Sequence, residues 1–318
     1  MSSVASREIN IGLQANPGEE ATPDVALRCL MGIKPVVDKV HVDENIGSYA
    51  PARHYIGSSK AEGTLNLDGL YQEVPYIIAM AMGAESPAGG GDPYTWTWAL
   101  PDTTPETFSL WTVEYTDGDV WVLHAVDVFA TGLTISAEAG KSWQFEAPLV
   151  GGEITYISAL GASLSPGTTL TAIRMADTVL SIDNTYAGIG VTPVSNALIN
   201  FSWGLENLQH QKLFAGSLWP SGRGNAKWQV TLEMTVEVAT AVFESERDKH
   251  LTKAQTAVHL KATSGAHSAT IAGMFMLEDV ASLEERDGNN IVTFSYLGEM
   301  DASDNTGYVE VLSSLDAL

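Results

Sequence analysis

The chain has 318 residues, 45% of them hydrophobic and 17% charged, and its 16 Lys+Arg against 39 Asp+Glu leave a formal net charge of −23. That length holds two ordinary domains with real cores, the composition excludes a disordered chain, and the acidity excludes long-range attraction to nucleic acid or anionic membranes. One cysteine, Cys29, excludes an intrachain disulfide and a thiolate metal cluster and suits a reducing cytosol.

The opening MSSVASREINIG has no apolar run, so no signal peptide is expected. A strand is expected over 36–43, then a long loop over 46–60. In AEGTLNLDG (61–69), Leu65 and Leu67 alternate with Thr64, Asn66 and Asp68, which predicts a strand with one buried and one wet face. PYIIAMAMG (75–83) follows, with Pro75 at a first helical position and Gly83 at a stop. The apolar run around it, 74–84, is too short to cross a bilayer, so a soluble protein is expected. Residues 85–107 read as an insertion in which Tyr94, Trp96 and Trp98 share one strand face. Strands are expected at 110–116 and 119–129 around the turn TDGD, and at 143–149. Residues 152–196, rich in Gly, Ser, Thr and Pro, form a connection plus one strand. The second half predicts a strand at 199–205, a loop at 208–225, and a long alternating strand over 226–241. In that strand Val230, Leu232, Met234, Val236 and Val238 oppose Gln229, Thr231, Glu233, Thr235 and Glu237. A helix over 239–253 and strands at 256–263, 269–277 and 291–297 complete the chain, with turns at TSGAH and RDGNN.

The order of elements repeats. Each helix directly follows an alternating strand. VVDKVHVDEN (36–45) matches LINFSWGLEN (198–207) in pattern, and GKSWQFEAPLVG (140–151) matches GNNIVTFSYLGE (288–299) with Leu149 set against Leu297. Two divergent copies of one β-rich unit are expected, 1–160 and 161–318, with the 85–107 insertion in the first copy alone.

Catalytic signatures do not emerge. HExxH and GxSxG motifs are missing, and the GKS at 140–142 has Ile135 where a phosphate loop needs its leading glycine. DASDNTGYVE (301–310) has its glycine and glutamate at the wrong offsets for calcium and reads as a polar turn. No cofactor, metal or catalytic residue is expected, and no enzyme. The Tyr94, Trp96 and Trp98 run suits a contact with a neighbouring subunit or the chain's own core, with a sugar platform as the alternative.

The succession resembles that of tail tube proteins of long-tailed, non-contractile bacteriophages. The resemblance runs from GLQANPGEEATP (12–23) through SSKAEGTLNLDG and its helix to FSLWTVEYTDGDVWVLHAVDVFATGLTIS (108–136) and a Gly-led strand ending in VGG. It implies a mainly β fold: two tandem tail-tube β-sandwich units, each flanked by an α-helix and contributing strands to a shared inner β-barrel. It also implies rings of three chains with pseudo-sixfold symmetry, stacked into a hollow tube in the virion and assembled in the host cytoplasm. Such a tube carries double-stranded DNA without binding it specifically and works with tape-measure, distal tail and tail-terminator proteins. On that basis the lumen-facing candidates are Asp43, Glu62, Asn66, Asp68, Glu206, Thr231, Glu233, Thr235 and Glu237. The loops at 46–60 and 208–225, the insertion and the termini are expected to make ring-to-ring contacts. The alternatives are a related terminator, distal tail or secretion-tube protein, or a carbohydrate-binding adhesin.

Overall fold

The computed structural model describes residues 7–42, 53–100, 109–116, 121–162, 164–165, 167, 170–194, 197–206, 210–220, 222–224, 227–238, 240–286 and 288–318. The first half contains β1 (Glu8–Leu13), β2 (Val25–Ala26), β3 (Cys29–Val42), β4 (Arg53–Asp68), α1 (Val74–Met82), β5 (Tyr94–Ala99), β6 (Trp111–Thr116), β7 (Val122–Ala130), β8 (Gly132–Glu138), β9 (Gln144–Gly151) and β10 (Ile154–Ile157). The second half contains β11 (Thr178–Asp183), β12 (Pro193–Val194), β13 (Leu198–Glu206), β14 (His210–Lys212), β15 (Gly222–Gly224), β16 (Gln229–Glu237), α2 (Thr240–Thr252), β17 (Gln255–Ser264), β18 (His267–Val280), β19 (Glu284–Arg286), β20 (Asn289–Gly298) and β21 (Gly307–Ser313). The protein is mainly β, as expected.

One pairing order occurs twice. In the first half β3, β4, β9 and β8 pair in that sequence, and in the second half β13, β16, β20 and β18 do the same. The β8–β13 pair fuses the two arrays into one eight-stranded antiparallel sheet, the inner sheet. The outer strands repeat as well, as β2–β1–β6–β7–β10 and as β12–β11–β17–β18–β21. A shared irregularity marks the place where a strand leaves each outer array for the inner one. Ala130 to Thr134 oppose Leu149 to Glu146, and Phe275 to Asp279 oppose Gly298 to Ser295, so five residues face four in both. Such bulges re-aim a strand between sheets.

These registers equate Phe145 with Phe294, Leu67 with Met234, Ile33 with Leu205 and Ile135 with Val280. They correct the sequence matching in two places. Leu149 is opposite Gly63 and buried, and its counterpart is Gly298, not Leu297, since a one-residue slip moves a strand residue to the other face. The segment equivalent to 201–206 is 29–34, not 36–45. Residues 36–42 instead continue with 53–60 as a long hairpin arm, and the short β14–β15 hairpin follows β13 in the same position. The expected loops at 46–60 and 208–225 are therefore partly strand.

The core fills the space between inner and outer strands. Alternation puts Leu65, Leu67, Phe145, Trp203, Leu232, Met234 and Phe294 on its inner-sheet wall. All nine residues of α1 are buried. Gly83, at φ +105°, ends that helix by donating its N–H to the Ala79 carbonyl, a conformation side chains rarely adopt. α2 instead carries a charged outer side and is held by a buried carboxylate. Glu246 (0% exposed) accepts from Lys249 Nζ at 2.7 Å, Thr256 Oγ1 at 2.9 Å and Tyr296 Oη at 3.1 Å, tying the helix to β17 and β20.

The insertion crosses between the halves. β5 pairs with β21, setting Trp96 opposite Val311 and Trp98 opposite Val309. The 161–173 connection also crosses the expected 160/161 boundary. Gly161 N donates to Glu114, Ile173 N to the Gly69 carbonyl and Trp143 N to the Ile173 carbonyl, all first-half partners.

Candidate functional site

The fold assembles a broad polar feature on the face of the inner sheet turned away from the core. Reading across the registers, Asn66 lies opposite Glu146, Glu146 opposite Thr134, Thr134 opposite Gly204 and Gly204 opposite Thr231. The next row runs from Asp68 through Gln144, Ser136 and Ser202 to Glu233. Alternation along each strand then puts Glu62, Glu206 and Glu237 on the same side. Glu62, Asn66, Asp68, Glu206, Thr231, Glu233, Thr235 and Glu237 thus share one continuous face, although they come from three strands in two halves of the chain. Asp43 lies outside the described residues.

Within that group the surroundings differ. Asn66, Asp68, Glu206, Thr231, Glu233 and Glu237 are exposed, and Glu62 is half-buried. Asp68 accepts from Gln144 Nε2 at 2.7 Å, and Lys60 pairs with Glu62 at 2.5 Å. Thr235 is closed over at 7% exposure, its hydroxyl 2.9 Å from that of Thr293 on β20, so it ties two strands together and offers little surface. Sequence reasoning missed the middle of the face, where β8 and β9 contribute Thr134, Ser136, Glu138, Gln144 and Glu146. The signal was present in the alternation of GLTISAE and QFEAPLV. Glu138 binds Lys141 at 2.7 Å, which with that hydrogen bond holds its carboxyl below the usual range.

The aromatic run has a different place. Trp96 and Trp98 are 0% and 1% exposed, stacked at 6.0 Å, with Nε1 groups donating to the Leu315 and Gly83 carbonyls. Within the chain their packing is internal, because β5 pairs with β21 and Trp98 reaches the carbonyl that ends α1. Half-buried Tyr94 alone of the three keeps surface for a contact with another subunit.

Other chemistry found in the sequence resolves into structure. Asp301 Oδ1 accepts from the Ser303 and Asn305 N–H groups, a turn-closing arrangement, and these bonds lower its pKa, those from Asn305 most. Burial, with the charge of Glu73 adding to it, pushes the Cys29 thiol up to about 12, far from a reactive thiolate. Among the described residues no His/Cys/Asp/Glu group is placed to hold a metal ion, and no helix is long and apolar enough to cross a membrane.

The chain is thus mainly β and carries a broad polar sheet face. A family model described as phage tail tube protein matches residues 5–311, nearly the whole chain, and the chain belongs to that family of structural phage proteins. Membership makes it a virion component that assembles with copies of itself into a tube. No individually curated protein matches the sequence.

Proposed function

We propose that the chain forms three-membered rings with pseudo-sixfold symmetry, that the rings stack into the tail tube of a siphophage, and that the polar face of the inner sheet lines the lumen. The observation that carries this reading is the doubled pairing order, which makes each chain two equivalent four-stranded segments of one sheet. Three chains would supply about 24 strands. At about 4.8 Å between strands and roughly 45° tilt, the barrel backbone would be on the order of 50 Å across, leaving roughly 40 Å after side chains, room for duplex DNA.

On this reading Glu62, Asp68, Glu138, Glu146, Glu206, Glu233 and Glu237 face the DNA, and Asn66, Thr231 and the neighbouring hydroxyls keep the wall wetted. Fixed negative charge repels phosphate, so the genome slides during ejection without adhering. Closure into a ring also pairs sheet edges that a lone chain leaves open.

Contacts between rings suit the hairpin arms. Val37, Tyr55 and Ile56 on the β3–β4 arm and Leu213, Phe214 and Leu218 beside β14 are exposed apolar side chains. The Ser59 N–H donates to the Leu218 carbonyl, so the two arms lie together. Tape-measure, distal tail and terminator proteins would cap or fill the same tube, assembled in the host cytoplasm. Mass measurement on assembled rings tests the proposal. Three chains per ring are expected, and six would remove the use of the doubled order.

A further inference from the structure

The junction inside each chain also specifies the junction between chains, an inference that rests on the ring reading above. Within the chain, β8 closes against β13 with Thr134 opposite Gly204, Ile135 opposite Trp203 and Ser136 opposite Ser202. The strand registers equate Thr134, Ile135 and Ser136 with Asp279, Val280 and Ala281, and Ser202, Trp203 and Gly204 with Leu30, Met31 and Gly32. The two counterpart edges have no strand across from them among the described residues. β3 pairs only with β4, and Asp279–Val280 pair only with β20.

Burial shows what is missing at these edges. Ile135 is fully buried inside the internal junction, whereas its counterpart Val280 is only half-buried and residues 281–286 are all exposed. Two of the exposed apolar side chains sit on these two edges, Leu30 at 67% exposure and Leu283 at 54%. Gly32 has open space where a Cβ would stand, while its counterpart Gly204 already has the Thr231 hydroxyl 2.9 Å from that point.

We propose that residues 28–32 of one copy pair antiparallel with residues 279–283 of a second copy, Asp279 opposite Gly32 and Ala281 opposite Leu30. This alignment puts Leu283 diagonal to Leu30 on the same face, within reach of long side chains across an antiparallel pair. It continues the inner sheet from chain to chain with the bulge at Glu278 in the place the internal junction gives it. A one-residue slip would turn Leu30 away from Ala281 and Leu283, so the register is specified.

Disulfide trapping tests the seam in the full-length chain carrying Cys29→Ser, alone or coexpressed with the other tail proteins. Leu30→Cys with Ala281→Cys should oxidise to a ladder ending at three covalently linked chains. Met31→Cys with Val280→Cys samples the alternate hydrogen-bonding class and should do so if the first pair is the geometrically poorer one. Leu30→Cys with Asp279→Cys, two residues out of register, should crosslink at least about tenfold less, because its Cβ atoms are too far apart. Rings that form with neither in-register pair crosslinked, or with the shifted pair favoured, would overturn the seam and leave the ring. Chains that stay monomeric even with the other tail proteins would overturn the ring reading and the seam together.

Discussion

Glu246 is the clearest case of one side chain setting the position of an element. It is fully buried, and Lys249, Thr256 and Tyr296 satisfy it from α2, β17 and β20. Removing one member of a buried ion pair strands the other. Glu246→Ala should therefore cost about 3–5 kcal/mol, read by chemical denaturation, with α2 exchanging its amides first. Glu73 makes an opposite contribution. Burial holds its carboxyl above the usual range, partly offset by the backbone N–H and charge of Arg28, and its Oε1 has no hydrogen-bond partner. A raised folded pKa means stability present below the ordinary carboxylate value and lost as pH climbs through the folded one. As pH rises from the ordinary carboxylate range towards neutrality, Glu73→Gln should lose less stability than the parent chain. Equal slopes would show that Glu73 does not supply it.

At the scale of elements, β5 joins two distant parts of the chain. It leaves the first half after α1, pairs with β21 and buries two indoles. Trp98→Ala should cost about 3–5 kcal/mol and loosen α1 and β21 together, seen as faster amide exchange in both. Exchange confined to residues 94–99 would contradict that coupling. The strand itself was legible from alternating aromatics, but its partner lies more than two hundred residues away and leaves no local pattern. α2 was legible from its helix formers, whereas the 53–60 part of β4 read as a loop. α1, the 61–68 part of β4 and β16 were legible because Pro75, Gly83 and strict period-two alternation act locally. The polar faces of those strands were legible for the same reason. Equating the two halves residue by residue was not, since a bulge and a one-residue register difference are set by pairing across the sheet, not by the letters of either strand. The middle of the polar face was overlooked because β8 was not expected as a strand, and one of its two partners, β13, comes from the other half of the chain.

For the whole molecule, net charge and topology act together. A chain at −23 repels its copies, and edge pairing and apolar contacts must overcome that repulsion, so assembly should strengthen as salt screens it. The acidic face carries a separate prediction. Reversing Glu233 and Glu237 to Lys should leave tubes intact, because both side chains are exposed on a wet face, while slowing DNA ejection through attraction to phosphate. Unchanged ejection kinetics would argue that these residues do not meet DNA. The most direct measurement is a reconstruction of the assembled tube by electron cryomicroscopy at side-chain resolution. Three chains per ring are predicted, with a 24-stranded inner barrel and Glu62, Asp68, Glu206, Glu233 and Glu237 on the lumen wall. The same residues on the outer surface of the tube, or a barrel built from other strands, would contradict it.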